Sequence, residues 1–379
     1  MKNEMIEIAE NVRKRLECPP DFVLRRVETA YVDGVLLYLD GLVDGRELED
    51  SFLFPLLKRE KPFEKNLQGI NGVVFYGGNL KEIPVEEGAK EIAEGNVVFL
   101  CDGLCLSIAA KKITERTVSE PPTSSVIKGP REGFVESLKT NVVLLRKRLR
   151  TPDLVLSELT VGEQTKTKIC VAYVKGIADE EIARTIGNKL SEIAIDGVLD
   201  SSYLSKILEE KPYSLFKQIG NSEKPDVITN KLLDGKIVVL CDGSPIALYA
   251  PFALIEDFED VQDAYKRPLR ATFLRYIRLL GAFLALLLPA VFVAVQVYQF
   301  QLLPVELLST VINSTGKIPF SPMLEMLIAL LLFEILGEAS IRMPRHIGLA
   351  LGVVGAIVLG ETAVRAGILY GLYRHGREI

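Results

Sequence analysis

The chain is poor in the groups on which most enzymes rely. It has two histidines in 379 residues, His346 and His375, and neither has a nucleophile or an acid close by in sequence. Its five cysteines, Cys18, Cys101, Cys105, Cys170 and Cys241, are odd in number and sit mostly in apolar, strand-like runs. That is the usage of small buried hydrophobes in a reducing compartment, not of a disulfide framework. Cys101 and Cys105 are spaced as a thiol pair, but no companion pair or histidine completes a zinc site. There is no Walker A sequence and no Rossmann glycine pattern. No catalytic, cofactor-binding or metal-ligating residue is therefore nominated, and an enzyme is not expected. A basic surface is missing too. The 45 lysines and arginines are outnumbered by 50 aspartates and glutamates, for a net charge of −5, which argues against nucleic acid as a partner. Met1–Arg15 is charged throughout, so no cleavable signal peptide is expected there.

Charge is also scarce at one end. Only twelve charged residues lie at or beyond Leu279. Leu279–Phe300, LLGAFLALLLPAVFVAVQVYQF, carries none, and roughly 20 apolar residues let an α-helix cross a hydrocarbon core. Two further apolar stretches follow, around Met323–Leu336 and Ile347–Leu359. These predict about three membrane helices, at 279–300, 322–338 and 347–369. Lys266, Arg267, Arg270, Arg275 and Arg278 precede the first, whereas the connection after it holds only Glu306 and Lys317. The positive-inside rule then places the soluble part in the cytoplasm. Pro289, in mid-span, removes a backbone hydrogen bond and is a candidate hinge. Gly348, Gly352, Ala356 and Gly360 recur every four residues, a candidate helix-packing seam. Ionisable groups at membrane depth pair or line water. Glu338 and Arg342 are spaced to pair, while Glu325 and Glu334 have no cation one turn away in the same helix and are candidates for a pore or hydrated path.

What precedes Leu279 reads as a duplicated soluble unit. EGNVVFLCDG (Glu94–Gly103) matches DGKIVVLCDG (Asp234–Gly243), and DFVLRRV (Asp21–Val27) matches DLVLSEL (Asp153–Leu159). YLDGLVDGREL (Tyr38–Leu48) answers YVKGIADEEIA (Tyr173–Ala183) with Asp44 and Asp179 in register. Val35–Leu39 and Lys168–Val174 have strand composition, and each aspartate is placed to cap a helix. Ile182, Ala183, Ile186, Leu190 and Ile193 form one apolar stripe. A helix stopped by Gly95 or Gly235 then leads to an apolar strand and Asp-Gly, a hairpin signal at both 102–103 and 242–243. A phosphate-binding or catalytic role for Asp102 and Asp242 is the minor alternative. SEPPTSSVIKGPREG (Ser119–Gly133) has linker composition. A helix is predicted over Gly133–Leu149, its Arg146, Lys147, Arg148 and Arg150 forming a solvated face, with docking on anionic lipid or an acidic neighbour as the alternative. The expected architecture is a duplicated cytosolic α/β domain followed by an all-α polytopic transmembrane domain. The expected divisions are 1–118 for the first subdomain, 119–132 for the linker, 133–265 for the second subdomain and 266–379 for the membrane part.

One resemblance is specific. GFVESLKTNVVLLRKRLRTPDL (Gly133–Leu154) resembles the start of the shared core of A subunits in the GerA family of spore germination receptors. The similarity continues through IARTIGNKLSEIAIDGVLDSSYL, PDVITNKLLDGKIVVLCDGSPIAL, LPAVFVAVQVYQFQLLP and FEILGEASIRMPRHIGLALGVVGAIVLGETAVRAGI, covering about 133–368. The resemblance implies a multi-pass protein of the spore inner membrane with a bipartite cytosolic α/β domain. It implies as partners a transporter-like B subunit that senses nutrient, a lipoprotein C subunit, membrane lipid and further copies of the chain. It also implies that A subunits oligomerise into a ligand-gated ion channel whose opening starts the release of monovalent cations and germination. Stage V sporulation protein AF is similar as well and implies an auxiliary channel role without a nutrient sensor. Family members usually continue beyond the VRAGI-like segment with more membrane helices, whereas this chain closes with LYGLYRHGREI. Arg374, His375 and Arg377 then fall on the side that alternation makes external, against the positive-inside rule. Truncation is the expectation, and it makes a non-conducting membrane scaffold the second reading.

Overall fold

Strand alternation and capped helices build two five-stranded antiparallel sheets with the same strand order. The computed structural model describes residues 2–29, 31–59, 62, 66–75, 80–112, 129–211, 213–303, 305, 308–309, 311–312 and 320–342. The first sheet contains β1 (Phe22–Glu28), β2 (Asp33–Leu39), β3 (Leu80–Glu82), β4 (Val97–Cys101) and β5 (Leu104–Ile108), in spatial order β1-β2-β4-β5-β3. The second contains β6 (Leu154–Val161), β7 (Thr167–Val174), β8 (Gly220–Ser222), β9 (Ile237–Cys241) and β10 (Ala247–Ala250), in order β6-β7-β9-β10-β8. Each strand of one sheet thus has its counterpart in the other at the same place, as the short internal matches predict.

Both sheets are apolar on both faces, because helices cover each side. In the first sheet Leu36, Phe99, Leu106 and Ile108 face α2 (Gly45–Leu48), the π-helical turn Glu49–Leu53, α3 (Phe54–Leu57) and α4 (Leu67–Asn71), meeting Leu48, Phe52, Leu56 and Ile70. Val35, Leu37, Val98 and Leu100 face the other way, onto α1 (Lys2–Arg15) and α5 (Gly88–Ala93). In the second sheet Leu156, Cys170, Val238 and Tyr249 pack on α6 (Leu138–Arg148) and α9 (Pro225–Leu233). Ile169, Val171, Val239 and Leu248 pack on α7 (Glu180–Ser191) and α8 (Ser201–Leu208). The predicted stripe lies there: Ala183, Ile186 and Leu190 are buried, with Ile182 and Ile193 packed at its margin. Asp44 caps α2 by accepting from the Arg46 and Glu47 N–H groups, and Asp179 caps α7 by accepting from the Glu181 N–H.

Three expectations need correction. The Asp-Gly signal makes a two-residue hairpin only at Asp102–Gly103, where both residues have positive φ, at 45° and 87°. At Asp242–Gly243 β9 and β10 also pair as an antiparallel hairpin, but through a longer loop, and the Asp242 carboxylate accepts from the Leu138 N–H at 2.9 Å and helps cap α6. The helix predicted from Gly133 begins only at Leu138, behind an N-cap Ser137. The residues before it are drawn away: the Phe134 N–H donates to the Glu223 carbonyl (2.8 Å), and the Asn141 amide brackets the Val135 backbone. Third, Arg146 does not belong to a solvated face. Its guanidinium is 2% exposed and forms two hydrogen bonds, 2.7 and 2.8 Å, with the Asp21 carboxylate of the first half. Lys139 and Asp40 pair on the same side of α6, and Val143 joins the first-half core there. Helix α6 therefore buries one side in its own sheet and fastens the other to the first half.

The chain divides into two units, Met1–Ala271 and Thr272–Ile379. One helix among the described residues is long and apolar enough to cross a membrane, α10 (Pro268–Tyr298), with a mean hydropathy of 2.4 over its most apolar window. It starts earlier than the apolar run because helix propagation needs no hydrophobicity. Arg270, Arg275 and Arg278 occupy its first turns, so part of the basic segment shares one helix with the apolar run. A further helix, α11 (Pro322–Arg342), holds Glu325, Glu334 and Glu338. The span expected at 347–369 and the seam Gly348, Gly352, Ala356 and Gly360 lie outside the described residues.

Candidate functional site at the root of the apolar helix

The segment that leads into α10 is strapped to α9 by charged and polar side chains. After β10 the chain makes two short 3-10 turns, Leu254–Phe258 and Val261–Tyr265, before Pro268. Neither has a sheet partner among the described residues, and side chains hold them. Glu256 is at the centre. Its carboxylate accepts from Lys231 of α9 at 2.5 Å, from Lys236 at 2.9 Å and from the Ala253 N–H at 3.0 Å. Burial pushes the Glu256 carboxyl up, but these hydrogen bonds outweigh it and hold the group below the usual carboxylate range. Burial lowers the partner ammonium, Lys231, yet the Glu256 hydrogen bond prevails and raises it above its ordinary value. Lys236 also donates to the Pro251 carbonyl at 2.6 Å.

A second cluster ties the end of the strap. The Tyr265 hydroxyl donates to Asp226 in the first turn of α9. Burial and that carboxylate together raise the Tyr265 phenol well above its ordinary value. Gly129 lies against the Tyr265 ring, where a Cβ would come within 2.8 Å of it, so only glycine permits the approach. Beneath them Lys224 is fully buried, its Nζ 3.6 Å from Asp226 Oδ2 and without a hydrogen-bond acceptor among the described residues. Asp226 Oδ1 and Glu223 Oε2 are likewise buried without a donor. A buried ion pair this incompletely satisfied contributes little net stability. It is, however, sensitive to any displacement of the tyrosine that shares its carboxylate.

The remaining predicted residues follow along the chain, each on its own element. Lys266 donates to the buried Asp263 at 3.4 Å, and Arg267 is exposed. Pro289 lies inside α10, which continues through it. Glu325 is in the first turn of α11, and Glu334 follows nine residues later. At 3.6 residues per turn, that spacing sets the two on opposite sides of the helix, so one hydrated path can face only one of them. Glu334 shares its side with Glu338.

Other candidates for chemistry are accounted for structurally. Burial pushes the Cys105 thiol up to about 11 and those of Cys170 and Cys241 up to about 12, so all three stay protonated and unreactive at neutral pH. A cavity of about 370 Å³ lies between the two halves, but its charges are already engaged. Asp21 is held by Arg146, Asp40 by Lys139, Glu158 approaches Lys168 at 3.9 Å, and Asp242 caps α6. No group of residues suited to a metal ion occurs among the described residues. Lys224, Asp226 and Tyr265 escaped the sequence reading. The available signal was the Lys-Pro-Asp start of α9, with Pro225 at the first helical position.

Comparison with known proteins gives this arrangement its context. The family model for the Bacillus/Clostridium GerA spore germination protein matches residues 10–371. Spore germination protein KA of Bacillus subtilis is 32% identical over 374 residues, covering 96% of this chain and 68% of that protein. Spore germination protein GerIA of Bacillus cereus is 37% identical over 371 residues, covering 97% of this chain and 55% of that protein. Among solved structures, the N-terminal domain of the A subunit of the Bacillus megaterium spore germinant receptor GerK3 is similar with a TM-score of 0.50 and 25% identity. The alignment covers 65% of this chain and 93% of that domain, so the duplicated α/β unit has a crystallographic counterpart. A match of the family model over nearly the whole length, with relatives at this identity on either side of the apolar helix, has one meaning: the chain belongs to the GerA family of spore germination proteins.

Proposed function

We propose that the chain is a subunit of a spore germinant receptor, non-enzymatic, that oligomerises and couples nutrient sensing by partner subunits to ion release across the spore inner membrane. Its partners are a transporter-like B subunit, a lipoprotein C subunit and further copies of itself. In this reading residues 1–118 and 133–265, joined by 119–132, form the cytoplasmic base, and 266–379 form the multi-pass membrane part. The observation that carries it is the strap. A 31-residue helix is about 46 Å long, whereas the hydrocarbon core is about 30 Å thick. The apolar stretch from Leu279 onward fills the core, and the turns bearing Arg270, Arg275 and Arg278 stand outside it. A rigid helix rooted through Tyr265 and Glu256 in α9 transmits displacement where a flexible linker would absorb it. Pro289 supplies a bend within the bilayer, and Glu325 or Glu334 lines the hydrated path. The seam at Gly348, Gly352, Ala356 and Gly360 packs helix on helix.

The test is potassium efflux from liposomes holding the chain with its B-type and C-type partners. Nutrient-dependent efflux is expected from the parent. Tyr265→Phe, which removes only the hydroxyl bonded to Asp226, is expected to reduce that efflux while assembly of the complex persists. Efflux that is absent from the parent, or that ignores Tyr265→Phe, rejects the coupling.

A further inference from the structure

The second half of the N-terminal unit presents an apolar patch that its core and the strap leave uncovered. Helix α8 buries Leu204 and Leu208 against the second sheet and turns Tyr203 and Ile207 outward, with Leu199 one turn before them. The loop that follows leaves Tyr213 and Leu215 99% and 97% exposed, and Phe216 is exposed beside them. The strap adds the exposed Leu254 and Ile255. Its neighbourhood to the loop is shown by the Phe252 N–H donating to the Gln218 carbonyl (3.2 Å) and by Lys217 lying 3.7 Å from Asp257. Lysines are interspersed: Lys206, Lys211 and Lys217 are all exposed, and the acidic Glu210 nearby is engaged by Lys189 at 3.1 Å.

Three observations decide what covers this surface. Two of its members, Tyr213 and Leu215, are almost wholly exposed at a loop tip, the shape of an inserting element and not of the flat patch that a protein interface buries. Tyrosine with leucine and phenylalanine, bordered by lysine, is the composition of the membrane–water boundary, where amphipathic rings and lysine stems bridge apolar and charged layers. The lysines complement the anionic headgroups of a cytoplasmic leaflet. Finally, α10 begins soon after Ile255, and that stretch of chain spans at most about 45 Å when fully extended. Ile255 of the strap is thus tied within that reach of the start of α10.

We infer that this patch is a lipid-facing surface: Tyr213, Leu215 and Phe216 enter the headgroup boundary of the same bilayer that holds α10, and Lys206 and Lys211 meet its anionic phosphates. The inference rests on the membrane reading above and adds a second, reversible contact to the covalent tether. It holds the base of the receptor against the membrane, so release of the loop frees the base to move.

The chain contains no tryptophan, so a single introduced indole reports its own surroundings. The full chain is reconstituted in vesicles of phosphatidylcholine and phosphatidylglycerol as Leu215→Trp, with Phe283→Trp in α10 as the embedded reference and Phe75→Trp, exposed on the first half, as the aqueous one. The expected result is a blue-shifted Leu215→Trp emission that brominated lipid quenches, with Phe75→Trp reached only by aqueous quencher. Adding Lys206→Glu and Lys211→Glu is expected to weaken the lipid quenching, and unchanged quenching overturns the part given to the lysines. Leu215→Trp reached by aqueous quencher as freely as Phe75→Trp overturns the inference. So does shielding from both quenchers, which means that a second copy or a partner protein covers the patch. If Phe283→Trp is quenched by lipid and Leu215→Trp is not, the inference alone fails; if neither is, the membrane reading fails with it.

Discussion

Arg146 sits in the run LLRKRLR, yet 2% of its side chain reaches solvent and its guanidinium grips Asp21, 125 residues away. A bidentate pair of this kind is set by geometry as much as by charge. Removing one partner strands the other, at a cost of about 3–5 kcal/mol when the pair is buried. Arg146→Met is therefore expected to lower the thermal midpoint of the detergent-purified chain markedly. Pairing it with Asp21→Leu should recover most of the loss, because no charge is then left stranded. A single variant as stable as the parent refutes the claim that this pair joins the halves. Glu256 gives a pH prediction. Its folded-state pKa lies below its unfolded value, about 4.3 for a free glutamate. The stability it contributes is full above that value and disappears as pH falls through the lower folded-state value. Lys231 contributes in the opposite sense: its share is full below the ordinary lysine value of about 10.4 and is lost as pH rises through its raised folded value. Glu256→Gln should flatten the acid limb of a stability-against-pH curve. An acid limb identical to the parent's counts against the strap.

Helices carry the next set of consequences. Helix α7 reads cleanly from the chain, because its cap, its stripe and its length are local properties: Asp179 begins it and Ala183, Ile186 and Leu190 bury one side. Helix α10 does not read cleanly, since hydropathy detects only the portion that fits a bilayer. Its basic first turns look like a flank, though the backbone makes them one rod with the apolar part. Pro289 interrupts that rod's hydrogen-bond ladder without ending it. Pro289→Leu restores the missing bond and should stiffen the helix. Under the proposed coupling, nutrient-triggered potassium efflux slows or stops while expression and assembly are retained. Efflux with parental amplitude and rate excludes a hinge at this position.

For the assembled chain, repetition and tethering have separate physical origins. Two sheets of the same order, β1-β2-β4-β5-β3 and β6-β7-β9-β10-β8, are joined by α6, which serves its own sheet with Leu138, Val142 and Leu145 and the first half with Val143 and Arg146. The proposed tether is one apolar helix among the described residues, followed by α11 with its glutamates. An embedded helix resists alkaline extraction, whereas a peripheral protein held by charge is released. The full chain should therefore remain with pelleted membranes through a carbonate wash. Its appearance in the supernatant would remove the basis for any channel role.

Local patterns were enough to read the strands, the Asp44 and Asp179 caps, the duplicated order and the existence of an apolar helix, because each depends on neighbours a few residues apart. The family resemblance was equally legible, resting on continuous runs such as Gly133–Leu154. Contacts between distant residues were not legible. Asp242 looks like Asp102 in sequence, but a helix N-terminus 104 residues away claims its carboxylate. Tyr265 looks like one more residue beside a basic cluster, yet Asp226, 39 residues before it, takes its proton donor. Arg146 is of a side-chain type that stays exposed unless paired, and it ends up inside. Burial, pairing and the position of a rigid root are settled by which surfaces meet when the sheets and helices pack, and no window along the chain contains that information.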